Sequence, residues 1–204
     1  YDKTVMLLEL AERAKKRGFV EASPTSVREG LVERVVEKLQ DDGAEELGSR
    51  RVRLSGDSVG ALCFSVSLQF SDNEKGKSAE YKLAKICRGL TKQKLGTLIL
   101  IDELHGNSSE ARRLVGTYQE MVGEKLDVAM VPAGLPSSIS GTLNDRVLTF
   151  LNRARKVTLS LLETGDIDAF YRKALKASGI EIPQELRKRA AAATCGSPYL
   201  MQLV

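Results

Sequence analysis

The sequence predicts an α/β fold, a parallel sheet with helices on both faces. One observation is the run Thr97-Leu98-Ile99-Leu100-Ile101, in which four large apolar residues lead straight into Asp102-Glu103. A strand that stays apolar on both faces marks a central strand covered by helices above and below. A second observation is the alternation of short apolar runs with helical stretches of about 10–15 residues, the pattern of parallel β-α-β units. The acidic pair falls at the carboxyl end of its strand, where open α/β sheets hold their ligands.

Composition narrows the class. A chain of 204 residues has room for one good core and a small second lobe. Hydrophobic content of 42% and charged content of 28% are those of an ordinary soluble globular protein. No apolar run approaches the ~20 residues that span a membrane, and no signal peptide is visible. Cys63, Cys87 and Cys195 are scattered, with no paired spacing, so a reduced, cytoplasmic setting is expected rather than a disulfide scaffold. His105 is the only histidine, which excludes a multi-histidine metal site. The net charge of +4 permits an anionic partner without demanding one.

In chain order, Lys3-Thr4 opens a helix in which Val5, Leu8 and Ala11 or Glu12 set the spacing, ending by Gly18. A lysine and a hydroxyl residue at a helix start form the tail of a phosphate-cradling loop. Backbone amides hold phosphate, lysine reaches the outer phosphates, and threonine binds Mg²⁺. Such a loop carries glycine before the lysine, where this chain has Asp2, whose bulk and charge are expected to weaken ATP binding. Phe19–Ala22 reads as a strand. Ser26 with Glu29 gives a capping box for a helix lined by Val27, Leu31, Val35 and Leu39, which Asp41-Asp42-Gly43 is expected to end before a polar linker at 44–50. Residues 62–70 alternate apolar and polar with period two, and with Val52 and Leu54 predict a β-hairpin insertion. Ser71–Ser78 reads as a mobile loop. Tyr81, Ala84, Ile86 and Leu90 mark the next helix.

After Glu103, Ser108 is the expected cap of a helix carrying Leu114, Tyr118, Met121 and Val122. An apolar strand at 126–131 ends in Ala133-Gly134-Leu135-Pro136. A helix around 142–152 and a further strand, Val157–Leu161, complete the predicted sheet. The remainder is helical: Asp166 is the expected cap of a helix with Ile167, Phe170, Tyr171, Ala174 and Leu175 on one face. Pro183 opens another helix and Ser197-Pro198 a third.

Taken together, Lys3-Thr4, Leu98–Glu103, Ala133–Pro136, Asn152–Arg155 before a strand, and the stretch Gly196–Gln202 resemble AAA+ ATPases. The likeness is strongest to the prokaryotic group related to origin-recognition and STAND ATPases, and it covers nearly the whole chain. It implies a parallel-sheet αβα P-loop NTPase core over residues 1–162, with the first strand and the start of the phosphate loop missing ahead of Tyr1. A truncated helical lid would occupy 163–204. It also implies ATP and Mg²⁺ as cofactors. Lys3 and Thr4 match the nucleotide-binding loop, with Thr4 and Asp102 associated with the metal. Glu103 matches the catalytic base. Arg153 matches an arginine finger supplied across a homo-oligomer or by a partner, with Arg155 as the alternative. The polar sensor at the end of the 126–131 strand is unassigned, Ser137 and Ser138 being the nearest candidates, and the lid stretch lacks the arginine of a second sensor. The rival expectation is a nucleotide-inactive scaffold or DNA-binding module, its basic groups being Arg50-Arg51-Arg53 and Arg187-Lys188-Arg189.

Overall fold

The computed structural model describes residues 3–23, 28–53, 76–104, 108–143, 149–201 and 203. Two compact units are distinct, Thr4–Ala154, and Arg155–Val204 with Tyr1–Lys3.

The first unit is built on a parallel sheet of three strands: β1 (Phe19–Ala22), β2 (Gly96–Ile101) and β3 (Val128–Pro132), in the order β1-β2-β3. All six residues of β2 are buried, as its unbroken apolar run predicts. Ile99 and Ile101 pack with α2 (Leu31–Arg53), α3 (Ala79–Lys92) and α4 (Ser109–Gly123), while Leu98 and Leu100 pack with α1 (Lys3–Lys15) on the other face. A fully buried side chain of this size contributes about 1.5–3 kcal/mol relative to its exposed state, so β2 is the main anchor of the unit. The close fit of β1 on β2 depends on Gly96. A Cβ there would stand 2.4 Å from the Phe19 ring.

Several expectations are corrected by this arrangement. The buried face of α1 is Leu7 and Ala11, while Val5 and Leu8 are 57% and 54% exposed. Both sets obey helical spacing, and packing on Leu98 and Leu100 buries only one of them. The second helix begins at Leu31, after Gly30 in a left-handed conformation (φ 74°), so Glu29 lies ahead of the helix and cannot close a capping box; Ser26 and Val27 lie outside the described residues. The leading amide of α2 is instead satisfied from afar, Leu31 N–H donating to Glu110 Oε2 at 3.0 Å. Nor does Gly43 end this helix, which runs on through the expected linker to Arg53 and takes Val52 out of a hairpin strand. One interior glycine costs a helix about 1 kcal/mol, which does not by itself end it. The rest of the expected hairpin lies outside the described residues. The helix expected around 142–152 is replaced by α5 (Pro136–Leu143) and a 3-10 turn, Thr149–Arg153.

Helices α2, α3 and α4 are tied together at one residue. Arg113 on α4 donates to Glu80 at 2.7 Å, Glu110 at 2.9 Å and Glu33 at 3.1 Å. The Arg113 hydrogen bond holds the Glu80 carboxyl below its usual range. Burial pushes the Glu110 carboxyl up, but its bonds from Arg113 and the Leu31 amide outweigh that and leave it lowered. Carboxylates lowered in the folded state bind fewer protons than in the unfolded chain. Their contribution is therefore present at neutral pH and is lost as pH falls through the folded-state values, which lie below the ordinary glutamate value. Arg113 is 38% exposed, so each pair is worth about 1 kcal/mol or less. Urea unfolding at pH 7 and pH 3 is expected to show a smaller loss of stability on acidification in Arg113→Met than in the wild type. Equal losses would remove Arg113 from the acid response.

The second unit carries α6 (Thr164–Ala177), α7 (Gln184–Ala193) and α8 (Pro198–Met201). Asp166 lies in the first turn of α6, whose cap position is Glu163. A carboxylate there still favours the helix dipole. Of the predicted α6 face only Ile167 is buried; Phe170 is 52% exposed. Tyr171 is fixed by its hydroxyl, which donates to the Met201 carbonyl at 2.9 Å. Arg187 makes two bonds to Asp168, at 2.6 and 3.2 Å. The strand expected at Val157–Leu161 does not form, and Val157 and Leu161 are 66% and 53% exposed. A strand needs a hydrogen-bonding neighbour, and among the described residues none pairs with this run.

Among the described residues no helix is long and apolar enough to cross a membrane. Burial pushes the Cys87 thiol up to about 11, so it behaves as a core side chain rather than a nucleophile.

Candidate functional site

The site lies where β2 ends. Leu7 and Ala11 hold α1 against Leu98 and Leu100, which sets the first turn of α1 beside the carboxyl end of β2. The Thr4 hydroxyl there donates to Asp102 Oδ2 at 2.5 Å, joining residues 98 positions apart. That length is typical of a charge-assisted O–H···O⁻ bond. The other Asp102 oxygen, Oδ1, accepts the Glu103 N–H at 2.9 Å.

Glu103 is exposed and holds a left-handed backbone, φ 56°. For a residue other than glycine this costs about 1–2 kcal/mol and persists only where neighbours enforce it. The neighbours are visible. Ala133 N–H donates to the Ile101 carbonyl at 2.8 Å, and Leu104 N–H to the Ala133 carbonyl at 2.7 Å. These bonds carry the β2–β3 register past the strands and pin the turn that presents the two carboxylates.

Thr4, Asp102 and Glu103 are therefore brought together. Lys3 is the first residue of α1 and is grouped with the second unit. Arg153 ends the 3-10 turn and is exposed; that turn is anchored by Leu151 against Val115. Arg155 is an exposed residue of the second unit. Ser137 is exposed and Ser138 half-buried at the start of α5. Asp2 and His105 lie outside the described residues. Of the basic groups, Arg187 is engaged with Asp168 while Lys188 and Arg189 are exposed.

Among the described residues no group of three or more His, Cys, Asp and Glu forms a cage for a cation. A hydroxyl and a carboxylate side by side nevertheless fit Mg²⁺. This hard ion takes oxygen donors and characteristically binds through one or two protein groups, the remaining positions going to water and substrate phosphates.

Sequence reasoning singled out Ala133–Pro136 as a motif but missed its part in holding the acid pair. The available signal was a glycine two residues past a strand end. Glu110 as the distant cap of α2 had no local signal at all.

No protein-family model, curated protein or solved structure matches the chain. What the chain can do is read from its own side chains.

Proposed function

We propose that the chain is the ATP-binding module of a cytoplasmic AAA+-type P-loop ATPase, coupling Mg-ATP binding and hydrolysis to movement in a larger protein. The observation that carries this reading is the Thr4–Asp102 hydrogen bond at the carboxyl end of the central strand. It pairs the hydroxyl that a phosphate loop offers to Mg²⁺ with the carboxylate that a Walker B strand offers to the same ion. Thr4 and Asp102 would hold Mg²⁺, which when bound supplies positive charge to the phosphoryl oxygens. Lys3 reaches the outer phosphates from the start of α1. Glu103 takes the proton of the attacking water and orients it.

Calorimetry tests this on the chain itself. ATP is expected to bind in the presence of Mg²⁺ and at least about tenfold more weakly in EDTA, while Asp102→Asn is expected to remove most of that difference. A hydrogen-bonded charged group contributes about 1.5–3 kcal/mol, or roughly 10–100-fold in affinity. Binding that is indifferent to Mg²⁺, or absent at millimolar ATP in both Asp2 and Asp2→Gly proteins, would overturn the reading.

A further inference from the structure

We propose that the second unit binds a small amphiphilic anion, a carboxylate carried on an apolar body, in the cleft where α6 turns into α7. The cleft lies wholly within that unit and has a volume of about 530 Å³, within the usual range of small-molecule pockets. Leu175, Ile180 and Ile182 give it an apolar lining, and Arg172, Lys176 and Arg187 stand among them. Its walls are set before any ligand arrives. Helix α6 is followed by Gly179 in a left-handed conformation, φ 69°. Gly179 N–H donates to the Lys176 carbonyl at 3.2 Å, and Ile180 N–H to the Leu175 carbonyl at 2.9 Å. These two bonds form the helix stop in which the side chains of the last two bonded residues, here Leu175 and Ile180, commonly meet. From α7, Arg187 is held by its two bonds to Asp168.

Charge and apolar surface are both left uncovered in this cleft. The Arg187 charge is met by Asp168, which Arg172 and Lys188 also reach through their charge. Arg172 and Lys176 lie one turn apart on α6, both exposed, and neither side chain makes a hydrogen bond or ion pair among the described residues. Glu181 is the one carboxylate in the lining. Between residues 172 and 189 six cationic side chains stand against two carboxylates, an excess of four that equals the net charge of the whole chain. Beside these cations Ile180 remains 52% exposed, and Leu175 and Ile182 are only half-buried. A bare anion would leave that apolar surface wet, and an uncharged apolar molecule would leave the cations unmatched. A carboxylate on an apolar body meets both, since a guanidinium offers paired donors to its two oxygens while the body covers the isoleucines. A nucleic-acid strand would use the charge alone.

The test is a titration of the full chain, followed by NMR, with hexanoate, octanoate and octanol, each kept below the concentration at which it self-associates. Octanoate is expected to give saturable shifts at the amides of Leu175, Ile180 and Ile182. It should bind at least about fivefold more tightly than hexanoate, since each methylene taken from water is worth up to about fourfold in affinity. Octanol, with the same body and no charge, should bind at least about fivefold more weakly than octanoate. Arg172→Gln/Lys176→Gln should cost octanoate about fivefold, the worth of two exposed ion pairs, and leave octanol unchanged. Both residues are exposed, so the variant should keep its fold. Equal affinities for octanoate and octanol, or for octanoate and hexanoate, would overturn the proposal by removing the charge or the apolar lining from recognition. So would shifts confined to other residues, a double variant that binds octanoate like the wild type, or shifts that never saturate. A single-stranded DNA oligomer that displaces octanoate from these residues at lower concentration would assign the cleft to nucleic-acid phosphates, and would overturn it as well.

Discussion

Glu103→Gln is expected to bind Mg-ATP like the wild type and to lose turnover by about 10²–10⁴-fold, the usual contribution of a positioned general base. The substitution keeps the size and hydrogen-bonding reach of the side chain and removes only its ability to take a proton. The backbone of residue 103 is held by Asp102 Oδ1 and by the Leu104–Ala133 bond, neither of which involves the Glu103 carboxylate, so the turn should survive the change. Single-turnover measurements at saturating Mg-ATP, beside calorimetry, separate the chemical step from binding. Equal turnover in the two proteins would take Glu103 out of the mechanism.

Arg153→Ala is expected to leave ATP binding intact and to lower turnover by about 10³-fold, the lower end of what an arginine finger contributes. Arg153 is exposed at the end of its 3-10 turn, so its removal should not disturb the core. A finger acts across an interface, and this permits complementation. Arg153→Ala mixed with Glu103→Gln creates interfaces in which an intact Glu103 faces an intact Arg153. The mixture should recover part of the wild-type rate. A mixture that forms mixed assemblies and stays inactive would exclude action in trans.

The parts of the molecule most readable from sequence are those in which burial acts on both faces at once. Leu98–Ile101 has no polar side to confuse its assignment, and the acidic pair after it marks the end of the strand. Helix α1 was harder to orient, because Val5 and Leu8 are as well spaced as Leu7 and Ala11, and only the sheet beneath decides which pair is buried. Val157–Leu161 has the composition of a strand, but composition does not supply the neighbouring backbone that a strand must bond. Gly43 reads as a stop, yet α2 runs on past it to Arg53, since one interior glycine costs a helix only about 1 kcal/mol. The motifs assign Thr4 and Asp102 to one Mg²⁺ site, but the hydrogen bond between them is seen only in the structure. The Leu104–Ala133 bond has no such signal, since it depends on how closely two strand ends approach in space.

The opposite placement of α1 and of α2–α4 on the sheet also constrains how chain can be added to it. From β1 through β2 to β3 the chain steps steadily in one direction, with α2, α3 and α4 on a single face. Connections between parallel strands of one sheet are right-handed almost without exception, so a helix on the other face belongs to a step in the opposite direction. Helix α1 occupies that other face and leads into β1. Any strand of this sheet that feeds α1 must therefore lie on the far side of β3, where β3 has no partner among the described residues. That edge of β3 leads into the Ala133-Gly134 turn. A strand pairing with it would reverse the order of travel across the sheet there, the place where α/β proteins open a crevice for a ligand.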